Sequence, residues 1–449
     1  MRSLTRLCRA CQRWLVPLAA FLVLVMMREP IGAADRPDNV APTTECLPVP
    51  LDLETARRIA LERQPGLAAY RASLAAAQTK VHALESLHVP TFLRPDLPVR
   101  RCQARIGLSI AQAQLIQQEW ETTYAATRTY LTVLYAREQA RVAQDLLQIL
   151  QTLRDTTEGF VGKKESSVTR PQYDRVRALL EVTAGRQQEA QGGVERALAA
   201  LREALGVGPD CALEVPNGQL RANPSPITRE QVIALALERR GELGQAGGAA
   251  QVAALEVKAQ AAARGRTAQT FAAGADIHAQ PVPQGLRDGD YRPGGVGLEM
   301  PVQLVGARCD RVNQAQALSG RADAVFEKTR GLVALEAQDV YYRYLDWSSR
   351  APRIREAARI AEKRREDVRG NFNPAVEKPR ANLDEVLDAS LLATQLLLQA
   401  NEAEFRYLLI LADLERVTAG GFCPNYLPPG PPPNGPNTPA HGGSALAPR

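Results

Sequence analysis

Histidine and aromatic side chains are scarce in this 449-residue chain, with four His and only 5% Phe, Trp and Tyr together. His82, His88, His278 and His441 are too few and too scattered for a strong helical zinc site. No G-x-S-x-G and no Gly-Lys-Ser/Thr phosphate loop occurs, so neither an esterase-type nucleophile nor a nucleotide cradle is expected. Gly294-Gly295-Val296-Gly297 lacks a following helix start and reads as the approach to a strand rather than an anion site. Catalytic, cofactor and metal residues are therefore expected to be absent, and the chain is not expected to be an enzyme. Long apolar runs are also missing: after residue 27 nothing approaches the roughly 20 residues of a spanning helix, which leaves β-strands as the means of membrane insertion.

The start of the chain carries a secretory pattern. Arg2, Arg6, Arg9 and Arg13 precede the apolar run Trp14 to Met27, and Gly32-Ala33-Ala34 follows. The run is about 14 residues, too short to span, which predicts a signal peptide over 1–33. Cys8 and Cys11 leave with it. The first later cysteine, Cys46, lies beyond the cleavage point, so a lipoprotein is not expected. Cys46, Cys102, Cys211, Cys309 and Cys423 permit one or two disulfides, and no spacing selects a pair. The formal charge of +6 owes much to the leader, and about +2 remains after its removal, so no nucleic-acid partner is expected.

What is plentiful is Ala, Leu, Gln, Glu and Arg, a helix-forming mixture. Ile59-Ala60-Leu61-Glu62-Arg63 repeats as Leu235-Ala236-Leu237-Glu238-Arg239, and the offset of 176 continues through Leu67 on Leu243 and Val81 on Val257. Two similar halves follow, over 51–226 and 227–422, after a linker at 34–50. Thr228 with Gln231, and Asn382 with Glu385, have capping-box spacing, and Thr169 with Pro171 opens another helix. Helices of roughly 50 and 60 residues are predicted over 109–160 and 308–369, on the order of 75 and 90 Å long, the second kinked at Pro352. The last helix carries a seam of Leu383, Leu387, Leu391, Thr394, Leu398, Asn401, Phe405, Leu408 and Ala412, with a mean step of about 3.6. An extended coiled coil would share that periodicity, but not the duplication.

Between helices, residues 268–304 alternate apolar and polar positions around Gly and Pro, which predicts a β-hairpin. A polar loop over the bundle is the other reading. The corresponding first-half segment, 88–107, has about 20 residues including Pro90, Pro95 and Pro98, so at most a shortened or irregular hairpin fits. From 423 to 449 a Pro/Gly-rich disordered tail is expected.

Several stretches resemble the TolC-type outer-membrane efflux protein family. Leu53-Glu54-Thr55-Ala56 through Ala60-Leu61-Glu62-Arg63-Gln64-Pro65 resembles its opening helix, and Tyr130-Leu131 with Leu134, Ala136 and Glu138 its mid-helix pattern, echoed by Tyr341, Tyr344 and Leu345. Leu383-Asp384-Glu385-Val386-Leu387-Asp388-Ala389, then Leu414-Glu415-Arg416-Val417-Thr418-Ala419-Gly420-Gly421-Phe422, is similar to its last helix. The resemblance implies a mainly α fold: long antiparallel helices forming a trimeric α-barrel with a small β-barrel from hairpin insertions, in the outer membrane and extending into the periplasm. It further implies a passive export duct for efflux or type I secretion, contacting a periplasmic adaptor and through it an inner-membrane pump. Gly162 and Gly370 fall where the family's hairpin tips meet the adaptor. Asp384 and Asp388, one turn apart near a tip, are candidates for an acidic ring in the tunnel; a solvated helix face is the plainer reading. The shortened first hairpin instead favours a non-conducting periplasmic scaffold of the same fold. A periplasmic adaptor would carry β-rich segments around one helical hairpin, which this duplicated chain lacks.

Overall fold

The computed structural model describes residues 50–90, 92–163, 166–218, 220–271, 300–376 and 379–427; the leader, most of the linker, the body of the second hairpin and the chain beyond Leu427 lie outside them. Helix α1, Leu53–Arg63, starts where the Asp52 carboxylate accepts the Thr55 amide at 2.7 Å. It stops at Gln64, which the following proline holds extended. Helix α2, Pro65–Ser86, departs from there, and α3, Leu97–Glu158, and α4, Arg170–Leu205, complete the first half.

The second half reproduces this order. After strand β1, Arg221–Ala222, come α5, Arg229–Arg239, and α6, Gly241–Ala262, each bounded at the offset of the sequence repeat. Strands β2, Thr267–Gln269, and β3, Gln303–Val305, intervene. Then α7, Arg308–Gly370, and α8, Leu383–Val417, match α3 and α4 with 63 against 62 residues and 35 against 36. Capping boxes at Thr228 and Asn382 form as their spacing predicts, and α4 starts at Thr169 with Pro171 in its first turn, where Gln172 Oε1 accepts the Thr169 amide at 3.0 Å. Pro352 lies within α7, which stays helical through it. Short strand β4, Tyr426–Leu427, pairs antiparallel with β1, so ordered structure continues past residue 423, where the tail was expected to begin.

The first-half segment agrees with the expectation of at most a shortened hairpin, whereas the expected start of the long helix at 109 needs correction. No strand forms among the described residues of 88–107, and 97–107 are instead the opening turns of α3. The physical reason is at Pro98: in the first helical turn a missing N–H costs nothing, so the proline that forbids a strand there starts the helix, and Leu97, Gln103 and Ala104 bury on it. In the second half β2 and β3 pair in the register Thr267↔Val305, Ala268↔Leu304, Gln269↔Gln303, which is the foot of the predicted hairpin. Residues 272–299 lie outside the described ones.

Packing makes a row rather than a ball. Helix α3 packs on α2 and α4 of its own half and on α6 and α8 of the other, whereas α7 packs on α5, α6 and α8. Among the described residues α7 makes no comparable packing with α2 or α4. One apolar cluster, including Ala56, Tyr130, Leu201, Val232, Val340 and Leu411, joins α1, α3, α4, α5, α7 and α8 near the middle. A second, including Leu150, Val176 and Leu387, joins the ends of α3, α4 and α8. Along α8 the predicted seam faces inward: Leu383, Leu387, Thr394, Asn401, Leu408 and Ala412 are buried and its other members half-buried.

Small residues bring α6 onto α3. A Cβ at Gly241 would lie 2.3 Å from the Ala113 carbonyl oxygen, and one at Gly248 would lie 2.6 Å from Ile110 Cγ1. Because the Gly241 neighbour is backbone, it cannot rotate away. Gly241→Ala is expected to destabilise the fold by about 1–3 kcal/mol, an overpacking cost, read as a lower midpoint in urea unfolding. An unchanged midpoint would mean that the two helices are less tightly apposed.

Candidate functional site

The two tips meet at one end of the row. Gly162 follows α3 with φ of +76°, a left-handed turn residue. Gly370 differs: it is the last residue of α7, and its φ lies outside the left-handed region. Apart from chain neighbours and the helix's own backbone, no atom of the described residues would lie within 4 Å of a Cβ at either glycine. Within this chain neither packing nor, at Gly370, backbone geometry calls for a missing side chain. Val161, Val368 and Phe372 from the two turns pack on the same apolar cluster, and the Ser166 hydroxyl donates to the Pro374 carbonyl at 3.2 Å. Phe372 and Ala381 also form a β-bridge across the second tip.

Asp384 and Asp388 lie on α8 just inside this end, and neither is a bare carboxylate. Arg175 of α4 donates to Asp384 Oδ1 and to Asp388 Oδ1, both at 2.9 Å, while Gln172 Nε2 donates to Asp384 Oδ2 at 2.7 Å. These hydrogen bonds to Asp388 and Asp384 raise the Arg175 pKa above its ordinary value. The three charges sum to one negative unit per chain, on side chains that remain substantially exposed. The sequence pattern placed both acids on one face of α8 and was silent about the cation opposite, which comes from another helix.

The other end is tied by a buried polar chain. Arg100 of α3 donates to both Glu256 oxygens, at 2.5 and 3.1 Å, and to the Gln269 carbonyl of β2 at 2.7 Å. Gln103 and Gln260 also donate to Glu256, and Gln260 Oε1 accepts from Arg311 Nε at 3.1 Å. Burial pushes the Glu256 carboxyl up, but Arg100, helped by Gln260 and Gln103, pulls it further the other way and leaves it below the ordinary value. A carboxylate depressed in the folded state contributes stability above its unfolded pKa of about 4.3 and loses it as pH falls through the folded value. Glu256→Gln is thus expected to cost about 1–3 kcal/mol at neutral pH, with the gap to the parent closing in acid. Paired urea titrations at neutral and acid pH measure this, and a gap that widened on acidification would contradict the assignment.

Midway, where α5 turns into α6, lies a buried ionic network that the sequence did not announce. Arg240 donates to Glu242 and, at 2.7 Å, to Glu336 of α7. Arg416 of α8 donates to Glu336 at 2.6 Å, Asp413 at 2.7 Å and Glu121 of α3 at 3.1 Å, and lies 5.3 Å from the centre of the Tyr124 ring. Burial, with the nearby Asp413 charge, pushes Tyr124 up to about 12. One clue was present: Arg240-Gly241 stands where the first half has Gln64-Pro65. Among the described residues no group of His, Cys, Asp and Glu is arranged to hold a metal ion, and no helix is long and apolar enough to cross a membrane.

No family model and no curated protein matches the chain in sequence. Solved structures do match in shape. The outer-membrane channel MtrE of Neisseria gonorrhoeae, in its open state, superposes with a TM-score of 0.64 at 15% identity, covering 82% of this chain and 89% of that one. The outer-membrane protein VceC of Vibrio cholerae gives 0.62 at 16% identity over 82% and 96%. A membrane protein from Pseudomonas aeruginosa gives 0.63 at 15% over 84% and 99%. The chain has the fold of these proteins, the long-helix architecture that the TolC-type resemblance implied.

Proposed function

We propose that three copies of this chain close into a passive export duct that begins in the periplasm and ends at the outer membrane, with no chemistry of its own. The observation that carries the reading is the unequal packing of α3 and α7. The halves are pseudo-equivalent, yet α3 is covered by α6 and α8 of the other half, while α7 has no matching cover from α2 and α4. A second copy supplies that cover, head to tail, and a heterologous contact that closes makes a ring. Tyr342, Leu345 and Ile360, exposed along α7, would be buried there. The shared fold with outer-membrane channels supports three copies and the outer-membrane location.

On this reading the 1–33 leader is removed during secretion. The tips at Gly162 and Gly370 receive a periplasmic adaptor, which links the duct to an inner-membrane pump for efflux or for type I secretion. The empty space at Gly370, unexplained by its own backbone, supports a partner closing on it. Asp384 and Asp388, bridged by Arg175, would ring the tunnel near its mouth. A second reading, a scaffold that does not conduct, is favoured by the loss of the first hairpin, since each copy then brings a single one.

The test is native mass spectrometry of the mature protein, followed by single-channel recording in planar bilayers. Trimers with discrete conductance steps are expected. Trimers without conductance would favour the scaffold, and a persistent monomer would remove both readings. Gly370→Glu should abolish export in cells while leaving trimer and conductance intact.

A further inference from the structure

The link that stands in place of the first hairpin is held by hydrogen bonds, and it carries the two most exposed large apolar side chains among the described residues. Arg101 anchors its start, donating to the Leu84 and Leu87 carbonyls at 2.9 and 2.7 Å. The Pro90 carbonyl accepts the Leu93 amide at 2.9 Å, and the Arg94 carbonyl accepts the Leu97 amide at 3.1 Å, so a turn leads directly into α3. This turn holds Phe92 at 66% and Leu93 at 61% exposure, the two most exposed large apolar side chains among the described residues. Leu87 is exposed as well.

The link lies at the hairpin end of the row. Arg100, four residues past Asp96, reaches the Gln269 carbonyl of β2, and the Phe271 ring sits against Gly107 and under Lys80. Val302, just before β3, and Val305, its last residue, add two more exposed apolar side chains at the same end. Around them Arg94, Arg264, Arg266 and Arg308 are exposed, against exposed acids at Glu85, which is paired with Arg105, and Asp310. Apolar side chains at the tip with an excess of guanidinium groups behind them match the interface of a bilayer, where acyl chains take the first and anionic headgroups the second.

We propose that the turn of Phe92, Leu93 and Arg94 ahead of α3 is a membrane seat: Phe92 and Leu93 enter the periplasm-facing leaflet and Arg94 engages its phosphates. This rests on the outer-membrane location proposed above. It gives the lost hairpin a successor that touches lipid without crossing it.

The experiment uses the mature full-length protein mixed with vesicles of phosphatidylethanolamine and phosphatidylglycerol whose acyl chains are brominated. Phe92→Trp should add emission that the brominated lipid removes for the most part. Leu335→Trp, on the flank of α7 beside the central cluster, should add emission that survives. Unquenched emission from Phe92→Trp overturns the proposal, whether the protein stays off the vesicles or a second copy covers the link, the latter marked by a blue shift on assembly without lipid. Quenching in a protein that gives no conductance would keep the seat and remove only the duct.

Discussion

Replacing Arg416 by alanine should unfold this protein at markedly lower urea, with a loss of about 3–5 kcal/mol, the usual cost of removing one partner from a buried ion pair. Arg416 joins α3, α7 and α8 at a single point, through Glu121, Glu336 and Asp413. Its side chain and those of Glu336 and Asp413 are all less than a tenth exposed. Without it Glu336 keeps Arg240 and Asp413 keeps Arg343, at 2.7 and 3.0 Å, but each carboxylate is left with an oxygen in a dry site and no donor in its place. The decisive comparison is Arg416→Met with Asp413→Leu. Removing charge of both signs and filling the volume should recover much of the loss, because the desolvation cost disappears with the ions. A loss below about 1 kcal/mol for Arg416→Ala, the range of exposed pairs, would mean that water reaches the network.

Arg311→Met should act as strongly but locally. Arg311 is fully buried, and among the described residues its guanidinium has no carboxylate partner: it donates to the carbonyls of Gln260, Ala263, Gly265 and Gly306 and to the Gln260 side chain. Those carbonyls are the unpaired end of α6 and the two strands' approaches, where a cation also meets the favourable pole of the helix dipole. Methionine fills the space and satisfies none of them. With buried acceptors stranded at about 1–3 kcal/mol each, the foot of the hairpin should open. Hydrogen exchange should accelerate at β2, β3 and the last turn of α6 while α4 and the tips stay protected. Arg311→Lys should rescue only partly, since three donors on a compact ammonium cannot span the same carbonyls. Uniform acceleration across the chain would show that Arg311 supports the whole fold.

These two arginines mark the limit of what the sequence discloses. The duplication, the helix starts at Thr169, Thr228 and Asn382 and the seam of α8 were legible because each depends on neighbours within a few residues or on a fixed offset. Arg416 and Glu336 are 80 positions apart, and Arg311 finds its acceptors in backbone carbonyls, which no sequence motif displays. The start of α3 was misjudged by about a dozen residues because Pro98 was weighed as a strand breaker when it serves as a helix opener. The pairing of β1 with β4 escaped for another reason: two residues at each edge are too few for alternation to register. At the tips, the positions of Gly162, Gly370, Asp384 and Asp388 followed from the helix breaks, and the Arg175 bridge did not.

The break in pseudo-symmetry between Ala262 and Arg308 also sets where resistance to flow would reside. In a three-copy ring about twelve helices stand side by side at roughly 10 Å spacing, a circumference near 120 Å. If the β2–β3 pair of each copy enters the rim, the proposed ring would have about six strands there at roughly 5 Å spacing, and tilt would widen that girth only to about 40 Å. On that proposal the wall would narrow about threefold within the few residues where the halves cease to match. In electrical terms the assembly is a wide conductor in series with a thin one, and nearly the whole voltage would drop across the rim. A recorded current would therefore respond to substitutions near the hairpin foot and hardly at all to those along the helical shaft.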